Sequence, residues 1–152
     1  MSALKARIAD DMKAALLGRH RFRGDVLRSL KAAILNEEVS LGKRDEGLSD
    51  AEVEKVIARE VKKRKEGAEL YRANGRAELA EPEEKEAAIL QEYLPKQLSE
   101  DEIRVMVEAA VADLGATMQQ MGQVIGAVKA KAGNAANGAL IAKITKETLA
   151  KQ

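Results

Sequence analysis

The chain has 152 residues and a formal net charge of +1 at pH 7, with 26 basic residues against 25 acidic ones. This balance excludes a strong overall attraction to polyanions, so nucleic-acid binding would require local basic patches. Cysteine is absent and histidine occurs once, which removes disulfides, thiolate metal sites and the commonest nucleophile–base pairs. Aromatic residues make up only 2%, so a core must consist of aliphatic side chains and alanine, a composition that favours packed helices.

Aliphatic residues at intervals of three and four predict two helices at the start of the chain. The first helix is expected to begin after a Ser2 cap and to end at Gly18. Residues 19–24 are rich in arginine and are predicted to form a basic connector. Asp25 is expected to cap or closely precede the second helix, which closes near Gly42 before a polar loop.

Two further helices are predicted before Pro95. Ser49 and Glu52 have the spacing of a capping box, which satisfies two free backbone N–H groups, and they open the third helix. That helix is expected to end at Asn74–Gly75, because glycine tolerates a left-handed backbone. Pro82 is expected in the first turn of the fourth helix, where its missing N–H breaks no hydrogen bond.

A proline and a helix cap, close together in the sequence, predict a break between two helical bodies. Pro95 disfavours helical geometry at Leu94, so the fourth helix has to end there. Ser99 and Glu102 have the spacing of a capping box, which is expected to open a new helix a few residues later. We therefore expect a hinge at Leu94 and Pro95, between bodies formed by residues 1–95 and 98–152.

Three shorter helices are predicted in the second body. Gly115 is expected to end the fifth helix, and Thr117 with Gln120 has the spacing of a third capping box ahead of the sixth. Asn137 is expected to cap the seventh. No stretch alternates with a period of two, so the sequence predicts an all-α fold with a four-helix N-terminal bundle followed by a smaller three-helix C-terminal bundle.

The densest basic run, Lys62–Lys65, lies on the third predicted helix. Four consecutive helical positions spread around a full turn, so these side chains cannot all face one ligand. Glu60 and Glu66 lie at helical spacing from them and can form ion pairs. The run therefore favours a solvated, self-paired helix face over a contact with phosphate groups.

No metal or nucleotide cofactor is expected. Acidic residues in the first turn of the fourth helix are favoured by the helix dipole, and no histidine or aspartate is interleaved with them at ligand spacing. The single His20 lies between two arginines, which makes it a poor general base. The sequence contains no phosphate-binding glycine loop. The acidic residues of the fourth helix are Glu78, Glu81, Glu83, Glu84 and Glu86.

The C-terminal body carries a local excess of positive charge, with five lysines and one glutamate between Ala116 and Gln152. Gly122 and Gly126 share one face of the sixth helix, where glycine lowers helix stability. Close helix packing or close approach of an RNA backbone would each account for them, and packing is the more common reason. The candidate RNA-binding residues are Gly122, Gly126, Lys129, Lys131, Lys143 and Lys146.

Five stretches of the sequence match a known family in content and in order. The most specific is Tyr93–Ser99, and the others are residues 26–34, 59–66, 115–117 and 121–126. Along nearly its whole length the chain resembles the YqeY-like branch of the GatB/YqeY family. The resemblance implies an all-helical protein in which a four-helix body precedes a three-helix body.

The resemblance also implies a function connected with tRNA. The C-terminal part is similar to the tail domain of the B subunit of the tRNA-dependent amidotransferase, and that tail holds the tRNA. Expected partners are therefore tRNA or another structured RNA, and an aminoacyl-tRNA amidotransferase or synthetase. The carbon–nitrogen ligase label of the family, with glutamine as amide donor, is inherited without a visible active site, so no catalytic residue is predicted.

The glycine loop before the last helix departs from the family pattern. Related proteins usually carry an Arg and an Asp in a Gly-Arg-Ala-Asp-Gly-like sequence, whereas residues 133–138 read GNAANG. A weaker RNA contact is expected at this loop. The competing interpretations are a protein–protein adaptor with no RNA role and, less favoured, a free-standing amidotransferase.

A bacterial, cytoplasmic protein is the expectation for the origin and location of this chain. Residues 1–5 lack the apolar core of a signal peptide. No apolar run approaches the length of a membrane span, so no membrane partner is expected.

Overall fold

The computed structural model describes residues 2–152, and every regular element in that range is helical. No strand occurs among these residues, which confirms the all-α prediction. Two short 3₁₀ turns, Met118–Gln120 and Gly133–Ala135, lie on either side of the sixth helix. The seven helices are α1 (Ala3–Leu17), α2 (Arg21–Ser40), α3 (Asp50–Ala73), α4 (Ala77–Gln91), α5 (Glu100–Leu114), α6 (Met121–Ala132) and α7 (Gly138–Ala150).

The chain divides into two compact units, each with its own cluster of buried aliphatic side chains. The first unit ends at Leu94 and contains α1 to α4. The second unit runs from Pro95 to Gln152 and contains α5 to α7. Each unit is described by itself below.

The core of the first unit joins all four of its helices. Ile8 of α1, Leu27 of α2 and Ile57 of α3 are fully buried, and Leu90 of α4 is 1% exposed. Burying one such side chain stabilises the fold by about 1.5–3 kcal/mol. The apolar spacing of the sequence is thus sufficient to place every helix of this unit around one core.

The second helix begins at Arg21 rather than near Asp25, so the prediction of a basic connector over residues 19–24 was largely wrong. Gly24 is buried inside α2, where a Cβ atom would lie 2.5 Å from Cδ2 of Leu16. Any other residue at position 24 would require the side chain of Leu16 to move. Packing between the two helices outweighs the preference of glycine for helix ends.

Pro82 lies inside α4 and not in its first turn, because the helix already begins at Ala77. The chain reverses at Gly75, which has a φ of +71°, and enters α4 directly from that turn. Ala80 is fully buried, so packing of this part of the helix compensates for the hydrogen bond that Pro82 cannot donate.

The second unit follows its predicted caps, except that at Ser99 the structure shows one of the two hydrogen bonds of the predicted capping box. Oγ of Ser99 accepts a hydrogen bond from the N–H of Glu102 at 3.1 Å, and Oδ1 of Asn137 accepts one from the N–H of Ala139 at 2.8 Å. Gly115 ends α5 in the left-handed conformation with a φ of +58°. These caps place α5, α6 and α7 around a core whose largest buried side chains are Ile103, Ile141 and Ile144.

The capping box predicted for α6 caps the 3₁₀ turn that precedes that helix. The backbone N–H of Thr117 donates to Oε1 of Gln120 at 2.7 Å, and α6 itself starts at the following residue, Met121. The box therefore fixes the entry to α6 rather than its first turn.

Candidate nucleic-acid interface

An exposed face of α6 brings together three of the predicted site residues. Gly122, Gly126 and Lys129 are spaced four and three residues apart, which aligns them along one side of the helix. Val124 and Val128 lie on the opposite side and are buried in the core of the second unit. We call the surface formed by Gly122, Gly126 and Lys129 the open face of α6.

The two glycines of the open face have no packing function within the described residues. A Cβ atom built on Gly122 or on Gly126 would have no other atom within 4 Å, apart from the neighbouring helix backbone. Close helix packing, the more common reason suggested by the sequence, therefore does not account for them. Each glycine costs about 1 kcal/mol of helix stability relative to alanine, and this surface leaves room for close approach by another molecule.

Lys129 extends from the open face of α6 toward the start of α7. A Cβ atom on Gly138 would lie 3.0 Å from Cε and 3.2 Å from Nζ of Lys129. A side chain at position 138 would therefore make the end of Lys129 shift slightly, whereas glycine leaves it in this position.

The remaining predicted lysines occupy two other places. Lys143 and Lys146 are three residues apart on the exposed side of α7, whereas Ile141 and Ile144 point into the core. Lys131 lies about 140° around α6 from Gly126, so it does not belong to the open face. The structure thus groups Lys129 with the glycines, pairs Lys143 with Lys146 and separates Lys131 from both.

The four lysines have no carboxylate partner within residues 2–152. Residues 116–146 contain no aspartate or glutamate, and the nearest acid in the sequence, Glu147, forms an ion pair with Arg104 at 3.6 Å. Lys129, Lys131, Lys143 and Lys146 therefore present uncompensated positive charge to solvent.

The basic run of α3 has different surroundings, because neighbouring glutamates pair with it. Nη1 of Arg64 lies 3.0 Å from Oε1 of Glu60, and its Nε lies 3.6 Å from Oε2 of Glu86. Lys62 reaches Glu66 at 3.9 Å. Burial raises the pKa of Glu86, although the charge of Arg64 acts in the opposite direction. Arg64 and Lys62 are thus paired as the sequence interpretation expected, whereas Lys63 and Lys65 are exposed and form no ion pair within the described residues.

A buried carboxylate that the sequence analysis missed holds the loop between α2 and α3. Glu38 is 1% exposed and accepts hydrogen bonds from Nζ of Lys5 at 2.7 Å and from the N–H of Leu48 at 3.2 Å. The hydrogen bond from Lys5 lowers the pKa of this carboxyl. The available signal was its position four residues after Ile34, on the apolar face of α2.

Tyr93 anchors the end of the first unit. Its hydroxyl donates to Oδ2 of Asp11 at 2.6 Å and accepts from Nη2 of Arg23 at 3.3 Å, while the guanidinium of Arg7 lies 4.6 Å from the ring centre. Burial, followed by the hydrogen bond to Asp11, raises the pKa of Tyr93 to about 12. The hydroxyl therefore stays protonated, and Tyr93 is a structural anchor. The predicted hinge at Leu94 and Pro95 directly follows this residue in the sequence and stays a prediction.

The acidic residues of α4 do not converge on a common point. Glu84 pairs with Arg72, and Glu86 lies near Arg64. Within residues 2–152, no group of three or more His, Asp or Glu side chains has the arrangement of a metal site. None of the described helices is both long enough and apolar enough to cross a membrane.

Comparison with protein families decides where this chain belongs. The family model for YqeY-like proteins matches residues 5–149, which covers both units. The chain belongs to the YqeY-like protein family. This confirms the family resemblance seen in the sequence, and the match alone states nothing about a tRNA-binding tail or an amidotransferase.

Among curated proteins, the chain is similar to fungal proteins named "Altered inheritance of mitochondria protein 41, mitochondrial". The protein from Clavispora lusitaniae is 30% identical over 92 residues, which covers 60% of this chain and 52% of the relative. Those from Eremothecium gossypii and Lachancea thermotolerans are 27% and 28% identical, covering 74% and 72% of this chain and 61% and 58% of the relatives.

This chain spans between about half and three fifths of the length of these relatives. Their names state a mitochondrial connection and no biochemical activity. They give no support to the bacterial origin and cytoplasmic location expected from the sequence.

Proposed function

We propose that the protein binds tRNA or another structured RNA through the sugar–phosphate backbone, using the open face of α6 and the exposed lysines of α7. The observation that carries this proposal is the pair of solvent-exposed helical glycines, Gly122 and Gly126, beside the unpaired Lys129. Glycine without a packing function lowers helix stability, and close approach of a ligand backbone gives it a use.

The lysines attract the phosphate groups of the RNA, and the glycines let the RNA backbone approach the helix closely. An ammonium group acts as a point charge toward phosphate, while bidentate recognition of base edges is typical of arginine. No arginine occurs after Arg104 in the sequence. We therefore propose recognition of RNA shape and phosphate position, with little reading of base sequence.

The family resemblance supports tRNA as the RNA and a helper of an aminoacyl-tRNA amidotransferase or synthetase as the cellular role. The carbon–nitrogen ligase label would require catalytic parts beyond the residues discussed above. Amidation of misacylated tRNA by the purified protein alone, with glutamine or ammonia, would establish it. The cytoplasmic location also stays a proposal, and cell fractionation distinguishes it from the mitochondrial location named in the fungal relatives.

The experiment is a titration of total tRNA with two variants that remove the same charge. The test variant replaces Lys129, Lys131, Lys143 and Lys146 with Gln, and the control variant replaces Lys55, Lys62, Lys63 and Lys65, which are exposed lysines of α3. Each lost phosphate contact lowers the slope of log affinity against log salt by roughly 0.7–0.9, so the loss of all four contacts should lower the slope by about 2.8–3.6.

The control variant should retain nearly the slope and affinity of the unmodified protein. The reverse ranking would move the RNA surface to the first unit. Absence of RNA binding by the unmodified protein at low salt would remove the proposal and favour the protein–protein adaptor. Circular dichroism should show unchanged helicity in both variants, because all eight lysines are exposed.

A further inference from the structure

The turn between α1 and α2 contains an arginine in a conformation that suits glycine. Arg19 has a φ of +63° and is the one non-glycine residue with positive φ among those described. Gly18, directly before it, has an ordinary φ of −83°. A left-handed backbone conformation is unfavourable in free energy for an L-amino acid, whereas glycine adopts it without this penalty.

The hydrogen bonds of this turn explain why position 19 must be left-handed. The N–H of Gly18 donates to the carbonyl of Ala14 at 2.9 Å, and the N–H of His20 donates to that of Ala15 at 2.8 Å. Helices commonly end in this way, with glycine at the left-handed position. The chain thus has glycine one position early and keeps arginine where the backbone is strained. Such strain often accompanies a functional contact.

The same turn displays an exposed aromatic ring. Phe22 is the only phenylalanine of the chain and is 46% exposed, and Leu17, on the other side of the turn, is 77% exposed. Aromatic residues make up only 2% of this protein, and a phenylalanine stabilises a fold chiefly when its ring is buried in the core. An exposed phenylalanine gives up most of that stabilisation.

Unpaired positive charge lies close to Phe22 along the chain. Lys13, Arg19 and Arg21 are exposed, and none of them forms an ion pair with another described residue. Residues 12–24 contain no aspartate or glutamate. Arg23 differs, because it pairs with Glu92 at 2.8 Å and belongs to the Tyr93 anchor.

We propose that this turn, residues 17–22, binds a single-stranded nucleic acid. One base stacks on the ring of Phe22, and the neighbouring phosphates lie against Arg19 and Arg21. A planar exposed ring accepts any base, and adjacent cations follow the phosphate backbone, which is how single strands are bound without sequence preference. The bases of a duplex are already stacked on one another and are not available to the ring.

The occupant is a nucleic acid rather than a membrane because the apolar surface is small. Binding at a lipid surface requires an apolar face along a whole helix, whereas only Leu17 and Phe22 are large, apolar and exposed at this turn. The site lies in the first unit and does not depend on the lysines of α6 and α7. It is therefore a second RNA contact, separate from the one proposed above.

The test measures binding of a fluorescein-labelled ten-nucleotide oligouridine to the full-length protein. Phe22→Ala should weaken binding by about 5- to 150-fold, which corresponds to the loss of one base–ring stack. Tyr71→Ala is the matched control, because Tyr71 is also a surface aromatic residue, 36% exposed on α3, and its loss should leave the affinity unchanged.

Two arginine variants separate charge from strain. Arg19→Gly and Arg21→Gln should each lower the salt slope by about 0.7, the value for one phosphate on a single strand. Arg19→Gly should also raise the melting temperature, since it relieves the left-handed backbone, whereas Arg21→Gln should not. Lys63→Gln on α3 serves as the charge control and should change neither quantity.

Unchanged oligouridine affinity in Phe22→Ala would overturn the inference. Tighter binding of phosphatidylglycerol vesicles than of the oligomer would also overturn it. So would a result in which Phe22→Ala weakens the binding of a blunt ten-base-pair RNA duplex as much as the binding of the oligomer. The variant without Lys129, Lys131, Lys143 and Lys146 should still bind the oligomer. If that variant loses oligomer binding and Phe22→Ala keeps it, this inference fails while the proposed function stands.

Discussion

The two units of the protein use similar residue types and differ in how they pair their charges. Ten ion pairs connect described residues of the first unit, and only the Arg104–Glu147 pair is found among those of the second. The formal net charge of +1 is therefore a poor guide to the surface. The basic run of α3 is partly paired with glutamates, whereas the lysines of α6 and α7 form no ion pair within the described residues.

The difference follows from helical spacing. On α3, acidic and basic residues alternate at intervals of four, as in Glu60 with Arg64 and Lys62 with Glu66. On α6 and α7 the positions between the lysines hold Ala130, Ile144 and Thr145, none of which carries a charge. The same cationic side chain is thus part of a structural pair in one unit and a candidate ligand-binding group in the other.

The largest effect on stability is expected from Glu38→Gln in the first unit. This change leaves the ammonium group of Lys5 without its charged partner and weakens the hold on the loop at Leu48. We expect a loss of about 2 kcal/mol in the free energy of unfolding, measured with urea, and no change in RNA affinity. The control Glu66→Gln removes a long, exposed pair with Lys62 and should cost less than about 0.5 kcal/mol. Equal effects of the two variants would contradict the structural role of Glu38.

The same carboxylate predicts a pH dependence. The pKa of Glu38 is lowered in the folded protein below its ordinary value of 4.5, chiefly by the hydrogen bond from Lys5. Its contribution is therefore fully present above pH 4.5 and is lost as the pH falls through the lowered pKa. Acid unfolding of Glu38→Gln, compared with the unmodified protein, should show a smaller loss of stability over this range.

A smaller effect is expected at the end of the first unit. Tyr93→Phe keeps the buried ring and removes the hydroxyl that bonds Asp11 and Arg23. Because both partners are charged, the loss should be about 1–2 kcal/mol, measured by urea unfolding. Tyr71→Phe is the control and should be nearly neutral, since Tyr71 lies at the surface. A neutral Tyr93→Phe would mean that burial of the ring alone fixes the end of α4.

The smallest change in stability has the opposite sign and sharpens the comparison most. Gly122→Ala and Gly126→Ala should each stabilise the protein by up to about 1 kcal/mol, because alanine fits the open space and favours the helix. Both should weaken tRNA binding by blocking close approach. Gly67→Ala on α3 is the matched control, since its Cβ would only touch Glu83 at an ordinary 3.8 Å. It should stabilise the helix similarly and leave tRNA affinity unchanged.

The sequence predicted those features that depend on a few neighbouring residues. The capping box at Ser49, the left-handed stop at Gly115 and the Asn137 cap are each complete within four residues, and the structure contains all three. The start of α2 and the place of Pro82 were wrong, because packing around Gly24 and Ala80 decides them. Such contacts join residues whose pairing no local pattern reveals.

The candidate site was predictable in composition but not in arrangement. Lysine excess and the spacing of Gly122 and Gly126 identified the region. The sequence could not exclude a packing role for the glycines, and it did not separate Lys131 from Lys129. Glu38 and the strained Arg19 were missed because their roles depend on contacts and backbone angles that exist only in the folded structure.

The most direct test of the contrast between the two units is a titration of the ¹⁵N-labelled protein with tRNA, followed through the backbone amide shifts. The account predicts the largest changes at Gly122, Gly126 and the amides around Lys129, with α3 unaffected from Lys62 to Lys65. Changes confined to α3, with the amides of Gly122 and Gly126 unmoved at saturation, would contradict it.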